Sequence, residues 1–259
     1  MSVGQRVFQT VQRLPDRTVP WVVAVAPVPL TVRRRNGRWW ATDRDATYDI
    51  ALTRATDAPR FLIGPGGIDG RLEQLADRYQ DHESGVVVEP DDRVLDVGAF
   101  LGEFALGVRG RASEIICLEP DPRSYGALSA TVADDDVIAP RQVAAWASDD
   151  EPLPMTLGTD PSETSARTLD DGRVVGAVDV ETVMLDDIDA DLAKIEAEGA
   201  EPEVLEGLSS PSIPKLAVNC DPERGGETPR GAVVARLEAI GYETVVVSDD
   251  GRTVFATAE

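Results

Sequence analysis

Apolar positions recur along the chain in two rhythms, and the rhythm changes near residue 90. Before residue 68, short apolar runs alternate with turns. Leu30 to Val32 and Trp39-Trp40 flank Arg33-Arg34-Arg35-Asn36-Gly37-Arg38. Asn-Gly predicts a two-residue hairpin turn there, because both positions accept positive φ. Tyr48 to Leu52 and Phe61 to Ile63 read as further strands, and Gly64-Pro65-Gly66-Gly67 closes this section. Leu72, Leu75, Ala76 and Tyr79 have helical spacing, which predicts a helix over 69–80. From Asp91 onward, short apolar strands alternate with helices. The strands are 93–97, 114–118, 142–146, 192–195 and 215–218. One helix carries Leu101, Phe104, Ala105 and Val108; another carries Tyr125, Leu128 and Val132 behind Asp121 as cap and Pro122 as first residue. A short helix covers 202–208. A last one turns Val233, Val234, Leu237 and Ile240 inward, with Thr228 and Pro229 at its start and Gly241 as its stop. Residues 147–178 are a polar excursion with one hairpin, and 178–183 is extended. Thr244 to Val247 and Thr253 to Ala256 pair around Asp249-Asp250-Gly251. The pattern predicts an α/β fold, a doubly wound and mostly parallel sheet with helices on both faces, over 81–259. Residues 1–80 form a small β-rich section that ends in a helix.

Composition narrows the partners. The 259 residues hold 47 Asp and Glu against 25 Lys and Arg, a formal charge of −22. Phosphate backbones and anionic bilayers are repelled by such a surface, so nucleic acid is excluded as a partner. The apolar run 19–30 contains Pro20, Pro27 and Pro29 and is too short to span a bilayer, so no integral membrane segment is expected. No basic region followed by an apolar stretch opens the chain, so the expected location is the cytoplasm. Only Lys194 and Lys215 are lysines. The dense carboxylate coat predicts adaptation to high internal salt, where self-repulsion is screened within about 3 Å at molar concentration. Cys117 and Cys220 sit in apolar runs and read as free, buried thiols. His82 is the single histidine, which removes Ser-His-Asp chemistry and histidine metal sites. No metal site is expected; Asp186, Asp187 and Asp189 read as a solvated acidic run.

The stretch Val94-Leu95-Asp96-Val97-Gly98-Ala99-Phe100-Leu101-Gly102-Glu103-Phe104 carries the chemistry. An apolar strand ends in an acid, and Gly98 and Gly102 flank a tight turn into a helix. Glycines there let a ligand approach the backbone. A dinucleotide fingerprint needs G-x-G-x-x-G, but Phe100 and Glu103 break it, and Glu103 repels a pyrophosphate. A P-loop needs Gly-Lys-Ser/Thr, which is absent. S-adenosylmethionine has a sulfonium cation and no phosphate, so an acidic turn suits it. Glu119 ends the second strand and is placed to accept from both hydroxyls of a ribose. Alternatively, Asp96 and Glu119 only cap the adjacent helices. Tyr125, Trp146 and Phe100 suit either adenine stacking or the core.

These residues resemble the FkbM family of S-adenosylmethionine-dependent methyltransferases. Leu95-Asp96-Val97-Gly98-Ala99-Phe100-Leu101-Gly102 is similar to its V-D-V-G-A-N-x-G motif, with Phe100 in place of Asn. Glu119-Pro120-Asp121-Pro122 matches E-P-[DN]-P. Ala144-Ala145-Trp146 resembles an alanine-rich strand end, and Met184-Leu185-Asp186-Asp187 a T-L-D-D element. Lys194-Ile195-Glu196-Ala197-Glu198-Gly199-Ala200-Glu201 resembles K-I-D-V-E-G-x-E, with Glu196 in place of Asp. The family often ends the next strand with an acid, where this chain has Asn219-Cys220-Asp221. The resemblance spans roughly residues 85 to 250 and implies a Rossmann-like methyltransferase domain with S-adenosyl-L-methionine as cofactor. It implies cofactor contacts at Asp96, Gly98, Ala99, Phe100, Gly102, Glu119, Pro120 and Ala145. Acceptor orientation or base chemistry falls to Glu196 first and Glu198 second, with Lys194 on the strand face shared with Glu196. An ion pair between Lys194 and Glu196 is expected to lower the pKa of Glu196. The implied acceptor is a carbohydrate, glycolipid or similar hydroxylated small molecule. A non-catalytic scaffold or regulatory module of the same fold, acting in glycan assembly, is the alternative reading. A nicotinamide-dependent sugar dehydrogenase or epimerase is disfavoured by Phe100 and Glu103.

Overall fold

A computed structural model of the chain describes residues 11, 15–25, 30–43, 46–62, 65–159, 164, 166, 174–223 and 226–258. After a one-turn 3-10 helix at Asp16–Thr18, helix α1 (Val19–Val25) accommodates Pro20 in its first turn, where no N–H is needed. Strands β1 (Leu30–Arg35) and β2 (Arg38–Asp43) form the expected hairpin, with Arg35 opposite Arg38 and Asn36 at φ 51°. Arg33, Arg34 and Arg35 are exposed; Arg34 and Arg35 lie over the Trp39 and Trp40 rings at 5.8 and 4.5 Å. β3 (Ile50–Leu52) joins β2 and leaves Tyr48 outside the expected strand.

The expected strand at 61–63 is a correction. Ala55–Leu62 is a 3-10 helix, and Ile63 and Gly64 lie outside the described residues. The Asp57 carboxylate accepts from the Arg54 N–H at 2.8 Å and from the Thr53 hydroxyl, which nucleates the helix. Three apolar residues are too few for their period to distinguish strand from helix. Helix α2 (Gly67–Arg78) follows and turns Leu72, Leu75 and Ala76 inward.

The central sheet begins with β4 (Arg93–Val97), which leads through a turn into α3 (Glu103–Val108). β5 (Glu114–Leu118) leads into α4 (Pro122–Thr131), and β6 (Ile138–Arg141) is the third parallel strand. This corrects the expected strand at 142–146. Only β7 (Ala144–Ala145) is extended there, and it pairs with β10 (Thr182–Val183) rather than with the main sheet. β6 is an edge strand, which explains how it accommodates Pro140 without an N–H to donate. β8 (Leu153–Gly158) and β9 (Val174–Val180) are the hairpin of the polar excursion. Then come β11 (Leu192–Ile195), α5 (Glu201–Leu205), β12 (Lys215–Asn219), α6 (Arg230–Ile240), β13 (Thr244–Val247) and β14 (Thr253–Thr257). Gly241, at φ 102°, stops α6 as expected. Pro229 occupies its cap position, one place earlier than the sequence suggested, and the Thr228 hydroxyl accepts from the Arg230 N–H at 3.2 Å.

The sheet order is β13-β14-β12-β11-β4-β5-β6. β12, β11, β4, β5 and β6 are parallel; β14 and β13 are antiparallel additions. This is the doubly wound, mostly parallel Rossmann-like sheet. The chain leaves β4 toward β5 on one side and returns to β11 on the other. The switch point therefore lies between β4 and β11, and ligands in such sheets bind outside the carboxyl ends at that crevice.

Two apolar clusters sandwich the sheet. One joins Phe61, Leu72 and Tyr79 of the N-terminal section to Val94, Phe104, Ile115 and Leu128. The other joins Leu95, Ile116, Ile195 and Val218 to Val204, Leu208 and Leu237. The first runs across residue 80, so the N-terminal section covers one face of the sheet. Among the described residues no helix is long and apolar enough to cross a membrane, and no cluster of three or more metal-ligating side chains occurs. Cys117 and Cys220 are buried free thiols.

Candidate functional site

The turn after β4 is fixed by steric necessity. The Gly98 and Ala99 N–H groups donate to the Leu118 carbonyl at 2.9 and 3.1 Å, tying the turn to β5. Gly98 has φ 69°, and a Cβ there would stand 1.8 Å from the Glu196 carbonyl oxygen. Only glycine lets the β4 and β11 ends approach so closely. Gly102, at φ 82°, is the backbone cap of α3, and a Cβ on it would meet Leu128 at 2.5 Å. Phe100 holds φ 51° between them. A left-handed non-glycine residue costs about 1–2 kcal/mol, and asparagine, the residue of the resembling motif, tolerates that region better. Here the Phe100 N–H donates to Glu119 Oε2 at 2.7 Å, and the Arg60 guanidinium covers its ring at 4.4 Å.

Glu119 is buried at the end of β5. Its Oε2 takes the Phe100 N–H, and its Oε1 takes the Asp121 N–H at 2.8 Å. Each oxygen keeps a lone pair for a further donor. Burial pushes the carboxyl up to about 7, against the pull of those two N–H groups. Asp121 caps α4 by accepting the Arg123 N–H at 2.8 Å, and also holds the Arg123 and Thr164 side chains.

At the switch point Asp96 and Lys194 stand opposite each other in the parallel register. Lys194 Nζ lies 2.9 Å from Asp96 Oδ1 and 3.2 Å from Glu196 Oε2, and donates to the Gly98 carbonyl at 2.8 Å. Burial alone would lower its pKa, but the two carboxylates reverse the sign and keep the amine protonated. Burial pushes Glu196 up, but Lys194 and Arg78 more than offset it and hold the group below the usual carboxylate range. The expected ion pair and its direction are both present. Asp96 is fully buried, and burial raises its pKa against the pull of Lys194. Beyond β11 the loop wraps round the buried Glu201 carboxylate, which accepts from the Ala197 and Gly199 N–H groups at 2.8 and 3.2 Å. That clamp places Glu198 at φ 51°. Strained φ values at Phe100 and Glu198 on two facing strand ends are of the kind that cluster at functional sites.

One open cavity lies over these strand ends. Gly98, Ala99, Phe100, Glu119, Pro120, Ala145, Lys194, Glu196 and Glu198 line it, so nine of the sequence-selected residues come together. Asp96 and Gly102 are not in the lining. Asp96 lies beneath Lys194 as its counter-ion, and Gly102 faces Leu128. Trp146 lines the cavity; Tyr125 does not.

The lining also holds residues the sequence reading missed. Arg60, Arg71, Arg78 and Tyr79 come from the N-terminal section. Arg60 and Arg71 pair with the buried Glu103 at 2.9 and 3.3 Å. Arg78 donates to Asn219 at 2.6 Å and Asp221 at 2.7 Å, linking the helix to the β12 end. The buried Tyr79 hydroxyl adjoins Glu196. A signal existed: Arg71, Leu75 and Arg78 share the inward face of α2 at helical spacing. The acidic turn opens into a cavity whose lining is mixed in charge. Arg60, Arg71, Arg78 and Lys194 balance Glu103, Glu119, Glu196 and Glu198, because the N-terminal section brings its arginines to the acidic strand ends.

No protein-family model matches the sequence, and no curated protein matches it. Solved structures do resemble the fold. A methyltransferase FkbM from Methylobacillus flagellatus KT superposes with a TM-score of 0.46 at 13% identity, over 98% of this chain and 58% of that one. This chain thus spans little more than half of that protein's length. A precorrin-6y C5,15-methyltransferase from Geobacter metallireducens GS-15 gives 0.43 at 14%, over 72% and 88%. A putative tRNA (m1A22) methyltransferase from Streptococcus pneumoniae, in complex with S-adenosyl-L-methionine, gives 0.41 at 15%, over 73% and 70%. At such identity the likeness is one of fold alone.

Proposed function

We propose that the chain is an S-adenosylmethionine-dependent methyltransferase acting on a hydroxyl oxygen of a carbohydrate, glycolipid or similar hydroxylated small molecule. One observation carries this reading. The Gly98 turn, Glu119 and the Lys194–Glu196 pair, from three neighbouring strand ends, line a single cavity at the switch point. The residues fit the cofactor. Glu119 has lone pairs for the ribose diol, and Leu118, Val143, Ala145 and Trp146 offer an apolar wall to a purine. The balanced lining suits a molecule that carries both charges, and phosphate-binding side-chain patterns are absent from the turn. When bound, the cofactor supplies an electrophilic methyl group on a positive sulfur.

The chain's part is to hold, orient and desolvate. Gly98 and Phe100 shape the turn so that a ligand approaches backbone. Lys194 keeps Glu196 ionised and directed, so its free lone pairs accept the hydrogen bond of an acceptor hydroxyl. A carboxylate with a lowered pKa is a modest base, so orientation is its larger contribution, and the proton passes to it only as the oxygen gains positive charge. Labelled-methyl transfer into a cell extract at molar salt tests this reading. Transfer that falls by roughly 10²-fold or more in Glu196→Gln, with nucleoside binding kept, supports it. Undiminished transfer removes Glu196 from the chemistry. Nucleoside binding without any transfer favours the non-catalytic module, a reading supported by the lowered Glu196 pKa and by the engagement of Asn219 and Asp221 with Arg78.

A further inference from the structure

Phe100 joins two charges of opposite sign. Its N–H holds Glu119, and its ring carries the Arg60 guanidinium at 4.4 Å. Arg60 reaches the cavity from the 3-10 helix at Ala55–Leu62, and its side chain is 21% exposed. Its Nε lies 2.9 Å from Glu103 Oε1. Glu103 has a second cation in Arg71 at 3.3 Å, so two guanidinium groups share one carboxylate and leave one positive charge over. Stacking on an aromatic face orients a guanidinium without consuming its N–H donors, and its terminal fork matches a carboxylate in two parallel bonds.

We infer that Arg60, aimed by Phe100, is the clamp for the α-carboxylate of the cofactor's amino-acid tail. This rests on the cofactor reading above and adds the residue that tells a nucleoside with an amino-acid tail from one without. In S-adenosyl compounds a short sulfur-containing chain separates ribose from carboxylate, and the turn at Phe100 presents the ribose acid and the stacked cation from one residue. The pairing also gives Phe100 a role in place of the asparagine of the resembling motif: an asparagine has no aromatic face to offer a guanidinium.

Calorimetry with S-adenosylhomocysteine and 5′-methylthioadenosine tests the assignment, because the second nucleoside lacks the amino-acid tail. In Arg60→Met, with Glu103 still held by Arg71, affinity for S-adenosylhomocysteine is expected to fall by roughly tenfold or more, the scale of a charged hydrogen-bonded pair. Affinity for 5′-methylthioadenosine is expected to stay unchanged. Arg60→Lys keeps a cation beside Glu103 and should show a smaller loss with the same selectivity, which covers the case where the methionine variant does not fold. Equal losses for both nucleosides, or none for either, overturn the assignment. If the unaltered protein binds neither nucleoside, the cofactor reading itself falls, and the clamp with it.

Discussion

Replacing Lys194 with methionine is the sharpest test of how the site is built. The amine is 3% exposed and touches two carboxylates and two carbonyls, those of Val97 and Gly98. Asp96 has no exposure, whereas the Glu196 side chain is 29% exposed and also feels Arg78. Most of the penalty therefore falls on Asp96. Removing one partner of a buried pair costs about 3–5 kcal/mol, a large share of the ~5–15 kcal/mol that holds a domain together. The loss has a predictable pH dependence. In the parent, Lys194 has a raised pKa, so its contribution is complete below the unfolded lysine value and fades only as pH rises through the folded one. In the variant, Asp96 has a raised pKa and no counter-ion, so folding takes up a proton. Stability then recovers as pH falls, by at most about 1.4 kcal/mol per pH unit. Urea unfolding at about pH 8.5 and 5.5 in one salt concentration measures both effects. Adding Asp96→Asn removes the stranded charge and should restore much of the loss. A Lys194→Met protein within about 1 kcal/mol of the parent at about pH 8.5, or one whose deficit grows toward acid, would rule out this account of the buried pair.

Other consequences are as direct. Glu119 titrates at about 7, so nucleoside affinity should fall as pH drops through that value while the free protein gains stability, because protonating a buried carboxylate relieves its desolvation; Glu119→Gln should bind weakly and without that pH dependence. Gly98→Ala places a methyl group against the Glu196 carbonyl at φ 69° and should cost about 2 kcal/mol or more, together with nucleoside binding; an unchanged melting midpoint would contradict the account of the turn. At a charge of −22, the midpoint should climb between low and molar KCl, and a flat response would remove the salt-adaptation reading.

Short-range sterics and periodicity write part of this fold into the chain directly. Asn36-Gly37 announced a hairpin because few residues accept positive φ. Asp121-Pro122 and Gly241 marked helix ends because those residues satisfy or relieve terminal backbone groups. The alternation after Asp91 gave a doubly wound sheet, and the Gly98 turn with Glu119 could be read from a single strand-turn-helix and the strand after it. Where two local solutions compete within three or four residues, as at Phe61 and Ala144, the pattern misled, and long-range packing chose between them. Long-range packing alone places β11 beside β4, which sets Lys194 against Asp96 and makes that acid a buried counter-ion. The same packing brings Arg60, Arg71 and Arg78 across to the strand ends and makes the cavity balanced in charge. Charge pairing acts through space at a few ångströms and is indifferent to sequence separation, so no local pattern records which acid a given arginine will meet.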